Sequence, residues 1–255
     1  MLDVIVINRK SEIDRLAFMT AQLDQLGIRF YRLEAFTPDT LSEADEASAK
    51  STVASPLSAE DRARHLSHRT AWEWVSSSGP ALILEDDAVL ARQVPDLMAN
   101  LAVTDMEHLS LEVRGRRKLV SSTSIPIAHG VSAHRMYRDT AGAAAYVLWP
   151  AGARRLLAQA RRAPARAEIT IARARGLRSF QASPALAMQL DMIDRYGLTL
   201  QPLDSELNGT KAQSRPFRRI FQQSAETVGM IGSRLRYLMR ARPLEVPVKA
   251  EYFDL

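Results

Sequence analysis

The segment Ala81-Leu82-Ile83-Leu84-Glu85-Asp86-Asp87-Ala88-Val89-Leu90 carries three adjacent carboxylates on the end of an apolar run. Residues 81–84 read as a short buried strand, and apolar residues resume at Ala88. Three neighbouring acids at the mouth of a buried strand repel one another and lose hydration. A hard divalent cation such as Mg2+ or Mn2+ relieves both costs. Such ions take one or two carboxylates and complete their shell with phosphate oxygens of a substrate. The carboxyl end of a strand is also where open α/β sheets bind ligands. The segment therefore points to a metal–diphosphate site, with a solvated acidic turn as the competing reading.

Upstream, Val4-Ile5-Val6-Ile7 has the continuous apolar character of a central strand. Asn8-Arg9-Lys10 follows as a loop. Ser11 and Asp14 have capping-box spacing, and Ile13, Leu16, Ala17, Thr20 and Leu23 recur at helical intervals up to Gly27. Residues 28–33 read as the next strand. Strand, helix, strand predicts a βαβ unit and an α/β domain with a mostly parallel central sheet. Residues 37–56 are polar, contain Pro38 and Pro56, and read as a long loop. Ser58 with Asp61 predicts a second capped helix to about Val75, carrying His65, His68 and Trp72 roughly on one side. Residues 76–80 end it and lead into the acidic segment. Further on, residues 109–113 and 143–148 are strand candidates, and Pro150 opens a helix through Leu157. Residues 114–140 and 161–182 are basic and lack clear periodicity.

The length of 255 residues suits one large domain, or a domain with a tail. The chain has no cysteine, which excludes disulfides, zinc–thiolate sites and cysteine nucleophiles. Residues 4–7 are too short for the apolar core of a signal peptide, and no run approaches the ~20 apolar residues of a spanning helix. These features fit a cytoplasmic protein. The net charge is +5, carried by 34 basic residues against 29 acidic ones. Most of the basic residues are arginine, which suits phosphate recognition.

Several separated pieces resemble glycosyltransferase family 25, the lipooligosaccharide galactosyltransferases and their collagen-modifying relatives. Val6-Ile7-Asn8 with Asp14-Arg15 resembles the family's opening. Leu66-Ser67-His68 with Ala71-Trp72-Glu73 resembles its "Leu-Ser-His…Ala-Trp" helix, and residues 81–90 its strand and acidic motif. Gly142, Ala145-Tyr146-Val147-Leu148 and Gly152-Ala153-Arg154-Arg155-Leu156-Leu157 resemble its later block, with Pro184 and Gln189 near its "Pro…Gln" element. The likeness covers residues 3–190 in the family's order. Two places depart from it. Arg62-Ala63-Arg64-His65 stands where the family has a small Gly-Cys-type step, and Glu168, in Ala165-Arg166-Ala167-Glu168, stands where it has an aspartate.

The resemblance implies a GT-A-like, Rossmann-like nucleotide-sugar domain over residues 1–210. It also implies inverting transfer of a hexose, commonly galactose from UDP-galactose, to a glycan or glycolipid acceptor of lipopolysaccharide or lipooligosaccharide. In a metal-assisted transfer with Mn2+ or Mg2+, Asp87 is the first candidate ligand and Asp86 the second, with Glu85 a candidate for supporting or ribose contacts. Asn8, Arg15, His68, Glu85 and Asp86 are the candidate donor-binding residues. Glu168 is the candidate general base by position, with Asp191 and Asp139 as alternatives. Trp72 and Tyr146 read most simply as core.

Residues 211–255 mix arginines with apolar side chains and predict a basic amphipathic helical tail. It would lie on an anionic inner-membrane surface, pack back on the domain, or contact nucleic acid non-specifically. No recognised nucleic-acid module accompanies it. The alternative to an active transferase is a relative that binds a nucleotide sugar or a partner without turnover, as the departures from the family pattern suggest.

Overall fold

A computed structural model of the chain describes residues 2–48, 57–101, 105–138, 142–199 and 241–253. The elements in chain order are β1 (Asp3–Asn8), α1 (Ile13–Gln25), β2 (Tyr31–Glu34), α2 (Glu43–Ser48), α3 (Ala59–Ser78), β3 (Ala81–Glu85), β4 (Ala88–Leu90) and α4 (Val94–Asn100). They continue with β5 (His108–Ser110), β6 (Arg117–Ala128), β7 (Val131–Arg138), β8 (Ala145–Leu148), α5 (Pro150–Arg162), α6 (Ala167–Arg173), β9 (Ser179–Ser183), β10 (Ala187–Gln189) and β11 (Ala241–Glu245).

Nine strands form one sheet in the order β11-β6-β7-β9-β5-β8-β3-β1-β2. β1 runs parallel to β2 and β3, with Ile7 opposite Glu85 and Asn8 opposite Glu34. The predicted βαβ unit is therefore present, and it brings Asn8 and Glu85 to the same carboxyl edge. The α/β class holds, but the sheet beyond this unit is mixed. Only β5 and β9 add a third parallel pair, and the other pairings are antiparallel. Two features produce this difference. β8 returns between β3 and β5, and residues 117–138, from a stretch that lacks readable periodicity, form the β6–β7 hairpin. Register shifts in that hairpin break the alternation a sequence reading depends on.

Alternate residues of the parallel strands enter two cores. Val4, Val6, Leu82 and Leu84 pack with Met19 and Leu23 of α1. Ile5, Ile7, Ala81 and Ile83 pack with Trp72 and Val75 of α3 and Leu156 of α5. Helices thus cover both faces, which is why these strands read as unbroken apolar runs. The layers are α/β/α.

Several local expectations need correction. α1 begins at Ile13 with Glu12 at its cap and no side-chain cap bond, so Ser11 does not cap it. Ser58 does cap α3, its hydroxyl accepting from the Asp61 N–H at 3.0 Å. The loop predicted over 37–56 contains α2. The stretch 161–182 contains α6 and most of β9. The tail prediction fails over 241–245, which is strand β11 against β6 rather than helix. Val246, Tyr252 and Phe253 then enter the first core. Residues 211–240, which hold the rest of the predicted helical tail, lie outside the described residues.

Candidate active site

The acidic segment sits where β3 ends. β3 is braced by β1 on one side and β8 on the other, so Glu85 leaves the sheet in a fixed direction, its N–H bonded to the Ala144 carbonyl at 2.8 Å. After the turn, β4 pairs with β10, and Ala88 lies opposite Gln189. Gln22 of α1 holds β4 from the other side. Its amide donates to the Ala88 carbonyl at 3.0 Å and accepts from the Leu90 N–H at 2.7 Å. The turn that carries Asp86 and Asp87 is therefore clamped at both ends.

The three carboxylates face a solvent-open cavity of about 210 Å3. Ile7, Arg9, Glu12, Arg15, Ala35, Phe36, Arg64, Ser67 and His68 line the rest. Each carboxylate has different partners. Glu85 accepts from His68 Nε2 at 3.0 Å and from Gln189 Nε2 at 3.3 Å. Burial alone would raise its pKa, but the His68 hydrogen bond and the nearby Arg64 charge override it and hold Glu85 well below the usual carboxylate range. Asp86 accepts from Asn8 Nδ2 at 2.8 Å on one oxygen and from Arg15 Nη1 at 3.2 Å on the other. Asn8 is itself fixed by Arg32, which donates to its side-chain oxygen at 3.0 Å, and by the Glu12 carbonyl.

Asp87 differs. Arg15 approaches one oxygen at 3.8 Å, while Oδ1 is buried and has no hydrogen-bond partner among the described residues. Burial, followed by the charge of Glu85, pushes Asp87 up to about 7. A buried carboxylate oxygen with no donor is a costly arrangement for the protein alone. Asp87 is thus the one of the three carboxylates with an oxygen that no described residue holds. Among the described residues no three or more His, Cys, Asp or Glu side chains are placed to hold a metal by themselves. A hard ion here would take one or two carboxylates and complete its shell with phosphate oxygens and water.

Behind Glu85 runs a buried hydrogen-bond chain. The Trp72 indole N–H donates to the Tyr146 hydroxyl oxygen at 2.8 Å, and that hydroxyl lies 3.0 Å from His68 Nδ1. An indole nitrogen only donates. The Tyr146 oxygen is thus an acceptor toward Trp72, its proton goes to Nδ1, and Nε2–H of His68 points at Glu85. His68 is fully buried, with Nδ1 taken by Tyr146 and Nε2 by Glu85, so it orients a carboxylate. Trp72 and Tyr146 are core residues, as expected, and also the far end of this chain. His65 is buried too, tying α3 to the Ala165 carbonyl at 2.7 Å, and burial lowers it to about 4.

The predicted residues divide cleanly. Asn8, Arg15, His68, Glu85, Asp86 and Asp87 come together at one carboxyl edge. Glu168 and Asp191 do not line the cavity. Glu168 sits in the first turn of α6, paired with Arg166 at 3.3 Å. Asp191 is held by two hydrogen bonds from Arg114, at 2.9 and 3.3 Å. Asp139 lies outside the described residues. Sequence reasoning missed Arg64 and Glu12 as lining residues. Arg64 carried a readable signal, since it precedes His68 by four residues and shares its helix face.

Comparison with known proteins identifies a family. The sequence profile described as glycosyltransferase family 25 (LPS biosynthesis protein) matches residues 1–171. A similar solved structure is a glycosyltransferase involved in the glycosylation of the major capsid of PBCV-1. It is 12% identical, with 74% of this chain and 92% of that chain covered and a TM-score of 0.39. No functionally curated protein matches the chain.

Proposed function

The chain belongs to glycosyltransferase family 25, and from that membership we propose that it transfers a hexose from a UDP-sugar, galactose being the first candidate, to a saccharide of a lipopolysaccharide or lipooligosaccharide acceptor. The observation that carries the site assignment is the sorting of the three carboxylates. Glu85 and Asp86 are held by protein donors, whereas Asp87, which lines the cavity, keeps a buried Oδ1 with no hydrogen-bond partner among the described residues.

In this reading Asp87, with Asp86 beside it, holds Mn2+ or Mg2+. A bound ion supplies charge neutralisation for the departing diphosphate. Asn8 and Arg15 fix Asp86, and Glu85 faces the donor from a position set by His68 and Gln189. The transfer is a single displacement. The acceptor oxygen bonds to the anomeric carbon as the bond from that carbon to the diphosphate oxygen breaks. The acceptor proton passes to a base, and the anomeric configuration inverts. Neither candidate base lines the cavity; of the two, we rank Glu168 before Asp191. Arg114 occupies both oxygens of Asp191, whereas the charge of Glu168 acts on Arg64, a cavity residue. Among the described residues no helix is long and apolar enough to cross a membrane.

Replacing Asp87 by Asn tests the site. Transfer from UDP-hexose falls by at least about 100-fold, because the group on which charge neutralisation depends is lost, while the melting temperature stays at or above that of the wild type. Full metal-dependent activity in Asp87→Asn would overturn the assignment.

A further inference from the structure

We propose that Arg64, at the position where the family pattern has a small residue, is a binding residue for the donor diphosphate and bonds its oxygens directly. The inference rests on the nucleotide-sugar reading above and adds a contact that the acidic motif does not supply.

The cavity is lined by three arginines and four carboxylates. Two of the arginines are committed. Arg9 is paired with Glu60, and Arg15 spans Glu12, Asp86 and Asp87. Arg64 is exposed in the cavity and makes no hydrogen bond or ion pair among the described residues. It projects from α3 one turn before His68, on the face turned to Glu85. Its charge is felt by Glu85, Glu168 and Asp87, which together favour its charged form.

A diphosphate entering this cavity meets more negative than positive charge. A divalent ion held by Asp87 would reverse that balance locally, and an uncommitted cationic side chain in the cavity would add a donor for the phosphate oxygens. A guanidinium offers a planar fork of N–H groups that matches a phosphate, and it is less costly to strip of water than an ammonium. An arginine already locked to a carboxylate must break that pair to bind; Arg64 has none to break among the described residues. As the anomeric bond breaks, negative charge grows on the same oxygens, so the contact strengthens in the transition state. Arginine four residues before His68 thus places a donor beside Glu85 and Asp87 without disturbing the hydrogen-bond chain that holds Glu85.

The test is calorimetric titration of the full chain and of Arg64→Met and Arg64→Lys with UDP and with uridine, each with Mn2+ and again with EDTA. Arg64→Met is expected to weaken UDP binding roughly 10- to 100-fold, as for loss of a charge-assisted hydrogen bond. Uridine binding is expected to be unchanged, and the loss to persist in EDTA. Arg64→Lys falls between, because it keeps the charge and loses the fork. Unchanged UDP affinity in Arg64→Met overturns the proposal and leaves the nucleotide-sugar reading standing. An equal loss for uridine also overturns it, since the effect is then on the shape of the cavity. If the wild type binds neither ligand, the nucleotide-sugar reading fails and this inference fails with it.

Discussion

Replacing Tyr146 by Phe removes one oxygen atom and strands two buried groups. Tyr146 is 1% exposed, and its hydroxyl is the shared partner of the Trp72 indole N–H and of His68 Nδ1. Trp72 and His68 are both fully buried, so water does not readily replace the lost oxygen. A buried polar group left without a partner costs about 1–3 kcal/mol, and two groups are affected, although the indole N–H is the weaker loss. The net cost is therefore about 2–4 kcal/mol. For a chain of this size each kcal/mol is worth about 2–4 °C, so the melting temperature falls by roughly 4–16 °C. The functional effect follows from the same chain. With no donor at Nδ1, His68 is no longer confined to presenting Nε2–H to Glu85, and the orientation of Glu85 loosens. Thermal and urea denaturation measure the first effect, and the KM for the nucleotide-sugar donor measures the second. A Tyr146→Phe protein that melts within about 1 °C of wild type with unchanged KM would refute the directional hydrogen-bond chain.

Three further substitutions probe the frame. Gly152 sits in α5 where an added Cβ would lie 2.2 Å from the Glu107 carbonyl oxygen, so Gly152→Ala costs about 3 kcal/mol in equilibrium unfolding; a neutral effect would mean that α5 shifts freely against the sheet. Burial, and then the charge of Glu85, raise Glu112 to about 8, so the native state keeps a proton that the unfolded chain releases near pH 4.5. Stability from this group is full below about pH 4.5 and is lost as pH rises toward 8, by up to about 1.4 kcal/mol per pH unit; the difference between wild type and Glu112→Gln should show that slope. A difference that is flat in pH would show that Glu112 is ionised in the folded protein. Phe253 is 3% exposed in the main core, so Phe253→Ala costs about 3 kcal/mol or more in urea unfolding, and a loss below 0.5 kcal/mol, about the size expected of a surface change, would mean that the C-terminal residues do not pack as described.

The parallel part of the fold was legible because both faces of β1 and β3 are buried. Residues 4–7 and 81–84 therefore read as apolar runs, and the helix between β1 and β2 kept a 3.6-residue period. The hairpin of β6 and β7 was not legible, for a physical reason. Lys118 is buried in β6 with its ammonium bonded to the Glu112 carbonyl and to Gln181, while residues 122–126 of the same strand face solvent. A buried lysine and an exposed Ile125 invert the pattern that periodicity expects. The C-terminal strand was hidden likewise: β11 is Ala241-Arg242-Pro243-Leu244-Glu245, an edge strand whose proline and charges disguise it. Edge strands carry such residues because an exposed row of backbone groups otherwise recruits another chain.

The acidic triplet shows the limit of a motif more sharply. In sequence, Glu85, Asp86 and Asp87 differ only by one methylene and by order. In the folded chain they have separate environments, and the partners that separate them come from far away along the chain. Asn8 is 78 residues from Asp86, and Gln189 is 104 from Glu85. His68 is nearer, 17 residues before Glu85, but its direction is set by Tyr146, 78 residues beyond it. One carboxylate is fixed as an anion by a histidine and an amide. The second is braced by an asparagine and an arginine. The third keeps a buried oxygen with no donor among the described residues. Three equivalent acids would repel one another and leave the turn unstable. Dividing the donors unequally gives two of them protein partners and leaves the cost concentrated on Asp87, the group whose cost a bound cation would remove.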